Sequence, residues 1–380
     1  MNMKQLQKLV PAPGAQPDYA ACLAAFPVLE RAKTTPQDPI HHGEGDVWTH
    51  TMMVCGALVC SSDYAYATED ERFVMFFAAL LHDVSKADTT VIDEITGRIG
   101  QPGHSKRGAV DARVLLWRAG VTFELREAIC RLIEVHQTPF FAVTTKDVSV
   151  EQLRLVHKLS WRLDIRLLAA LAEADMRGRI CGDKPSALGN IERLRDVARE
   201  EACFGQERAF VDAHTRLQYA RHAKGHPDYA LYPAQGSDVI MMSGLGASGK
   251  NTWVEKNAPG RPVVSFDDAM AELGLKHGQN DGKAAHFAIE RAKELLRAKK
   301  PFVWNATNIN PQLRDKSLDL LYDYDAKVRI VYLENTYEVL RRRNAARDST
   351  LTQAALERMF NRWDIPVPAE AHEIDYFINQ

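Results

Sequence analysis

The chain has 380 residues, 46 % of them hydrophobic, and an almost balanced charge of 48 Lys and Arg against 50 Asp and Glu, net −2. At roughly 100–200 residues per domain this length suggests two domains, and the apolar content excludes a mainly disordered chain. The charge balance excludes a global pull toward nucleic acid or anionic membrane, so a polyanion would have to bind a local basic patch.

In chain order, residues 1–221 read as helix after helix. Met1–Pro11 carries Lys4 and Lys8 but no apolar stretch, so no secretory signal is expected. Pro11–Pro17 reads as loose. Apolar spacing predicts helices over Trp48–Ser61 and Glu69–Leu81. The longest apolar run, Phe73–Leu81, is about half the ~20 residues a spanning helix needs, so no membrane association is expected. Asp93–Gly103 holds Gly97, Gly100, Pro102 and Gly103 and reads as a loop or short hairpin. Helical periodicity returns over Lys106–Arg118, Phe123–His136, Ser149–Ala174 and Asn190–Glu201. Residues 222–237, with Gly225, Pro227, Pro233 and Gly236, read as a linker. The apolar run Asp238–Ser243 follows. Strands are then expected at Pro262–Phe266, Pro301–Asn305 and Lys327–Leu333, and helices at Lys250–Asn257, Gly282–Lys299, Pro311–Tyr322 and Thr336–Ala346. The expected fold is therefore an all-α bundle over 1–221 followed by an α/β domain over 238–380 with a parallel sheet. Six cysteines without CxxC spacing read as reduced thiols, which points to the cytoplasm.

The first half holds an ordered set of chemistry-bearing residues: His50, His82, Asp83, His104, His136 and Asp175. His82 and Asp83 close a helix that looks buried, where an imidazole beside a carboxylate is costly unless something pairs with both. A metal would do so. Imidazole nitrogen with carboxylate oxygen suits Mn, Fe, Co, Ni or Zn rather than a closed structural zinc site.

The local contexts "HHGEGDVWTHTMMV", "FFAALLHDVSKADT", "GHSKRGA", "EVHQTPF" and "LAEADMRGR" resemble the HD-domain metal-dependent phosphohydrolases over about residues 40–180. The first two also resemble the HD region of bacterial tRNA nucleotidyltransferases. The resemblance implies one divalent ion held by His50, His82, Asp83 and Asp175. It implies a second held by Asp83, His104 and His136, with Asp83 bridging. It also implies Lys86 as a contact to the scissile phosphate, and His42 with Glu44 as substrate or supporting contacts.

In the second half, Gly244-Leu245-Gly246-Ala247-Ser248-Gly249-Lys250 follows an apolar strand and opens a helix, the context a P-loop requires. Gly244, Gly246, Ser248 and Gly249 would turn backbone N–H groups toward the phosphates of ATP or another NTP. Lys250 would reach the β/γ-phosphates. Asn251 stands where most P-loops carry the Mg²⁺-binding Ser or Thr, and Thr252 follows one position later. Asp267, after the second strand, is a candidate general base, with Asp268 beside it. Arg343 and Arg347, four apart on one helical face, could clamp phosphates. The set "KNTW", "DD", "ATNINP" with Thr307 and Asn308, and "RNAAR" resembles the 5′-hydroxyl polynucleotide kinases of phage and bacterial RNA repair. Two positions depart from that pattern. Met270 replaces an arginine that contacts the acceptor phosphate, and Asn305-Ala306 replaces an aspartate.

The two halves together resemble the bacterial bifunctional RNA end-healing enzymes. That implies RNA, or DNA, ends as partners, a ligase acting downstream, and two activities: 5′-OH phosphorylation and removal of a 2′,3′-cyclic phosphate or 2′-phosphate. Two other readings fit the residues. One is a small-metabolite or nucleoside kinase fused to an HD nucleotidase, which the near-neutral charge favours slightly. The other is a nucleotide-sensing regulator. The sequence is silent on oligomeric state and is compatible with a homodimer.

Overall fold

A computed structural model describes residues 2–275, 280–346 and 351–379. The chain divides into two compact units, Met1–Arg208 and Ala209–Gln380.

The first unit is helical. Its hub is the helix Glu69–Leu81, packed against the helices Val47–Val59, Phe123–Val135 and Ile165–Arg177. Thr68 starts the hub by a reciprocal cap with Glu71, and every residue from Phe73 to Leu81 is buried. Each large apolar side chain placed there stabilises the fold by about 1.5–3 kcal/mol. That burial carries His82 and Asp83 into the interior at the end of the helix. The helix His104–Arg118 packs on Phe123–Val135. The expected hairpin is present as β1 (Val91–Ile92) paired with β2 (Ile99–Gly100).

One expected helix is two. The stretch read as Ser149–Ala174 breaks into Val150–Ser160 and Ile165–Arg177. Asp164 caps the second helix by accepting from Arg166 N. Trp161 is buried at the break, its indole N–H donating to the Arg208 carbonyl at 2.9 Å. A cap and a buried anchor outweigh continuous periodicity here.

The second unit carries a sheet in the order β4-β5-β3-β6-β7. The strands are β3 (Asp238–Ser243), β4 (Val263–Ser265), β5 (Phe302–Asn305), β6 (Lys327–Asn335) and β7 (Glu373–Asn379), and every pairing is parallel. From Val239 to Ser243 the central strand is buried, as a parallel strand covered on both faces should be. β7 and the helices Phe266–Glu272 and Gln353–Phe360 were not expected. The helix Ala213–His222 also departs from the sequence reading, which ends the first half at residue 221. It packs within the second unit, where Arg221 pairs with Asp315 and Asp319 and His214 meets His372. The divide therefore falls earlier than the glycine- and proline-rich stretch at 222–237. Among the described residues, no helix is long and apolar enough to cross a membrane.

Candidate functional site

Two sets of groups stand out, one in each unit. In the first unit six side chains from five segments converge. His50 comes from the helix Val47–Val59, begun by the Asp46 cap. His82 and Asp83 end the hub helix, His104 opens the helix after the left-handed Gly103, His136 ends the helix Phe123–Val135, and Asp175 lies on Ile165–Arg177. All six are buried. The sets His50–His82–Asp83, Asp83–His104–His136 and His82–His136–Asp175 each bring their ligand atoms within 4.8 Å of one another.

The tautomers are fixed from behind. His82, His104 and His136 each donate Nδ1–H to a backbone carbonyl three residues earlier, of Ala79, Gln101 and Ile133, at 2.8, 2.7 and 2.8 Å. Each Nε2 therefore turns a lone pair inward. Among the described residues, the buried His136 Nε2 has no hydrogen-bond partner, and both Asp83 oxygens lack one of good geometry. Lys86 Nζ still lies 2.8 Å from Asp83 Oδ2 as an ion pair. His50 Nδ1 lies 2.9 Å from Glu44 Oε1 as an ion pair, without good hydrogen-bond geometry, and its Nε2 is 3.2 Å from Asp175 Oδ1. Orphaned lone pairs on buried nitrogen and oxygen, with the back sides tied down, are what divalent ions of the Mn, Fe, Co, Ni or Zn kind require. The residues fit the group.

The electrostatics agree. Burial pushes the His136 pKa down to about 3, and His82 adds to the effect. Burial also lowers His104. Burial would raise the Asp83 carboxyl, but His82 and Lys86 hold it well below the usual carboxylate range. Burial likewise opposes charge on Asp175, and Arg179 with His50 more than reverses it. Burial pulls His50 down, but Asp175 and Glu44 outweigh it and raise it. The two carboxylates are therefore anionic, and burial favours the neutral imidazole at His104 and His136.

Around the six stands a ring of supports. Arg179 grips Asp175 through two hydrogen bonds of 2.8 and 2.7 Å. Glu44 accepts from His42 at 2.8 Å and, through its other oxygen, from the Ile180 N–H at 2.8 Å. Thus His42 and Glu44 sit behind His50 rather than in an open loop, and burial lowers the His42 pKa to about 4. Lys86 is buried, its ammonium shared between Asp83 and Gln37 Oε1 at 2.6 Å. Sequence reasoning missed the Arg179 clamp and Gln37. Arg179 follows Asp175 by one helical turn, a readable signal. Gln37 lies in a proline-flanked loop with no periodicity, and nothing marked it.

In the second unit Gly244–Gly249 joins β3 to the helix Lys250–Asn257. Gly244 has φ 142° and a Cβ there would lie 2.4 Å from the Leu333 carbonyl, so only glycine fits. Lys250 Nζ caps the Gly244 and Leu245 carbonyls at 2.9 Å each. Ser248 is buried and its Oγ has no hydrogen-bond partner among the described residues. The Ser248 carbonyl accepts from Asn335 Nδ2 at 2.9 Å and from Arg343 Nη1 at 3.1 Å, which brings Arg343 to the loop. Arg347 lies outside the described residues. Gly246 is buried, while Asn251 and Thr252 are exposed. Asn251 Oδ1 accepts from Asn305 Nδ2 at 2.9 Å, so the residue in the magnesium-binding place bonds to the residue in the expected aspartate's place.

Asp267 and Asp268 lie exposed in the first turn of Phe266–Glu272, at the C-terminal end of β4, and Ser265 caps that turn. The Thr307 carbonyl accepts from Gly244 N at 2.8 Å. Asn308 is buried, its amide donating to the Met242 carbonyl at 2.7 Å, so this side chain braces the strand end. Met270 is buried against Ala269 and Ala284. An arginine there would have to leave this apolar cluster to place its charge in solvent.

A family model described as an AAA domain matches residues 239–366. The multifunctional CCA protein of Halorhodospira halophila is 33 % identical over 193 residues, covering 49 % of this chain and 42 % of that protein. The bifunctional polynucleotide phosphatase/kinase of Schizosaccharomyces pombe is 20 % identical over 166 residues, covering 42 % of this chain and 38 % of that protein. The chain thus spans less than half the length of these relatives. Among solved structures, Chaetomium thermophilum Kti12 in complex with ADP-AlF3 is 18 % identical over 37 % of this chain and 87 % of that one, with a TM-score of 0.29. So slight a likeness carries no weight for function.

Proposed function

We propose that the protein heals RNA ends with two active sites. One is an HD-type site in the first unit that hydrolyses a terminal 2′,3′-cyclic phosphate or 2′-phosphate. The other is a P-loop site in the second unit that phosphorylates a 5′-hydroxyl. The observation that carries this reading is the pairing, on one chain, of an orphan-rich His/Asp centre with a P-loop whose sheet carries an exposed carboxylate at the C-terminal end of β4. The similarity to a multifunctional CCA protein and to a bifunctional polynucleotide phosphatase/kinase supports this reading.

In the first unit His50, His82, Asp83 and Asp175 would hold one divalent ion, and Asp83, His104 and His136 the second. Bound there, such ions supply Lewis acidity toward a phosphoryl oxygen and a water acidic enough to ionise near neutrality. Lys86 would balance charge on the phosphate, and Arg179 keeps Asp175 anionic and oriented. In the second unit the loop N–H groups and the helix N-terminus would cradle the NTP phosphates, with Mg²⁺ accompanying the nucleotide. Asp267 would take the proton of the 5′-hydroxyl as its oxygen attacks the γ-phosphorus. The bond to the NDP oxygen breaks, while Lys250 and Arg343 offset the charge.

The test uses RNA strands bearing a 5′-OH or a terminal 2′,3′-cyclic phosphate, with ATP, Mg²⁺, and Mn²⁺, Co²⁺ or Ni²⁺ supplied separately. Lys250→Ala should abolish only 5′-phosphorylation, and His104→Ala only end hydrolysis. Failure of the intact protein to change either end sinks the proposal. Phosphorylation of free nucleosides but not strands would establish the small-metabolite alternative instead.

A further inference from the structure

The support ring holds one polar group that nothing described so far uses. Gln37 is 4 % exposed. Its Oε1 accepts from Lys86 Nζ at 2.6 Å, and its Nε2 is buried with no hydrogen-bond partner among the described residues. The assignment of the amide atoms is secure on chemical grounds. An ammonium only donates, so the amide atom facing Lys86 is the oxygen, and the orphan is the N–H₂ donor.

The loop around Gln37 is fastened to the centre on both sides. Thr35 carbonyl accepts from Val47 N, at the start of the helix that carries His50. Pro36 carbonyl accepts from Gln101 Nε2 at 3.1 Å, and Gln101 carbonyl in turn fixes the His104 tautomer. A buried donor left without a partner weakens the fold, and a native orphan of this kind calls for a function. This one belongs to the amide that bonds Lys86, the lysine paired with Asp83 at 2.8 Å.

We propose that Gln37 is a substrate-contacting residue of the hydrolytic site. Its Nε2 donates to a non-bridging oxygen of the scissile phosphate, while its Oε1 aims Lys86 at the same group. The inference rests on the hydrolytic reading proposed above. It adds a neutral donor from outside the His/Asp motifs.

The test separates donor from support. Gln37→Glu keeps an acceptor for Lys86 but replaces the donor with an oxygen. Gln37→Leu removes both. Each variant is assayed as the full chain for hydrolysis of a 2′-phosphate end and for inhibition by inorganic phosphate. Metal content is counted, and 5′-phosphorylation serves as the control for folding. A hydrogen bond to a charged oxygen predicts a fall in kcat/KM of about ten- to a hundredfold in both variants. Inhibition by inorganic phosphate should weaken by a similar factor, with metal content unchanged. Wild-type behaviour of Gln37→Glu would assign Gln37 to lysine support alone and overturn the inference. So would unchanged phosphate inhibition in Gln37→Leu, or a loss that follows metal loss. If the unmodified protein hydrolyses no such end, the hydrolytic reading itself fails, and phosphate binding measured calorimetrically on the same variants decides the Gln37 contact separately.

Discussion

The two candidate sites are built on opposite plans. The first-unit centre is made of side chains, buried and set by helix ends, with each imidazole fixed from behind by a carbonyl or carboxylate. The second-unit site is made of backbone, a glycine loop at the C-terminal end of the central strand of a parallel sheet, with Asp267 and Asp268 exposed. A side-chain centre concentrates unfavourable burial that a bound cation offsets, so it should fail when any one group is lost. A backbone loop spreads its contribution over many N–H groups, so only Lys250, the base and the clamping arginine should be singly decisive.

That contrast can be broken in several ways. The largest expected effect is at Asp267, the proposed base. Asp267→Asn should lower 5′-phosphorylation on the order of 10²–10⁴-fold, the range for a lost general base, and leave end hydrolysis unchanged. A loss of less than tenfold, measured with radiolabelled ATP, would move the base elsewhere. Met270→Arg comes next. Restoring the arginine of the kinase pattern places a charge in the Ala269–Ala284 cluster, and it should destabilise the second unit by about 3 kcal/mol rather than improve acceptor binding. Denaturant unfolding checks this, and a tighter KM for RNA with unchanged stability would mean the side chain reaches solvent. Glu44→Ala removes the group that orients His42 and His50. Metal affinity in the first unit should fall about 10–100-fold while kinase activity persists.

The smallest expected effect lies away from both sites. His372 accepts from Val328 N at Nδ1 and meets His214 at 3.0 Å. Burial, with His214 and Lys327, lowers its pKa to about 4. The pKa is depressed in the folded state, so the unfolded chain binds the proton first as pH falls. The contribution to stability is therefore complete above the unfolded value, near 6.5, and is lost as pH falls toward about 4. His372→Gln should flatten that slope for the second unit. An unchanged slope by thermal melts from pH 7 to 4 would assign the acid sensitivity elsewhere.

Much of this was legible in the sequence where one residue type served one local purpose. The hub helix, the P-loop and the six buried ligand candidates each sit in a pattern readable over a few residues. The failures share a cause, which is dependence on a distant partner. The break at Trp161–Asp164 depends on an anchor at Arg208. β7 carries Glu373 and Asp375 on an edge and exists through its pairing with β6. Ala213–His222 looks like one more helix of the first half until its pairs with Asp315 and Asp319 place it in the second unit. Gln37 acquires meaning only from the lysine it touches.

The measurement that tests the central claim most directly is a metal count on the purified full chain by elemental mass spectrometry. The buried centre predicts about two transition-metal ions per chain in the unmodified protein. It predicts fewer than about one in Asp83→Ala, which removes the shared carboxylate, and no change in Lys250→Ala. An unmodified protein that binds none, or an Asp83→Ala protein that binds as many, would contradict the assignment.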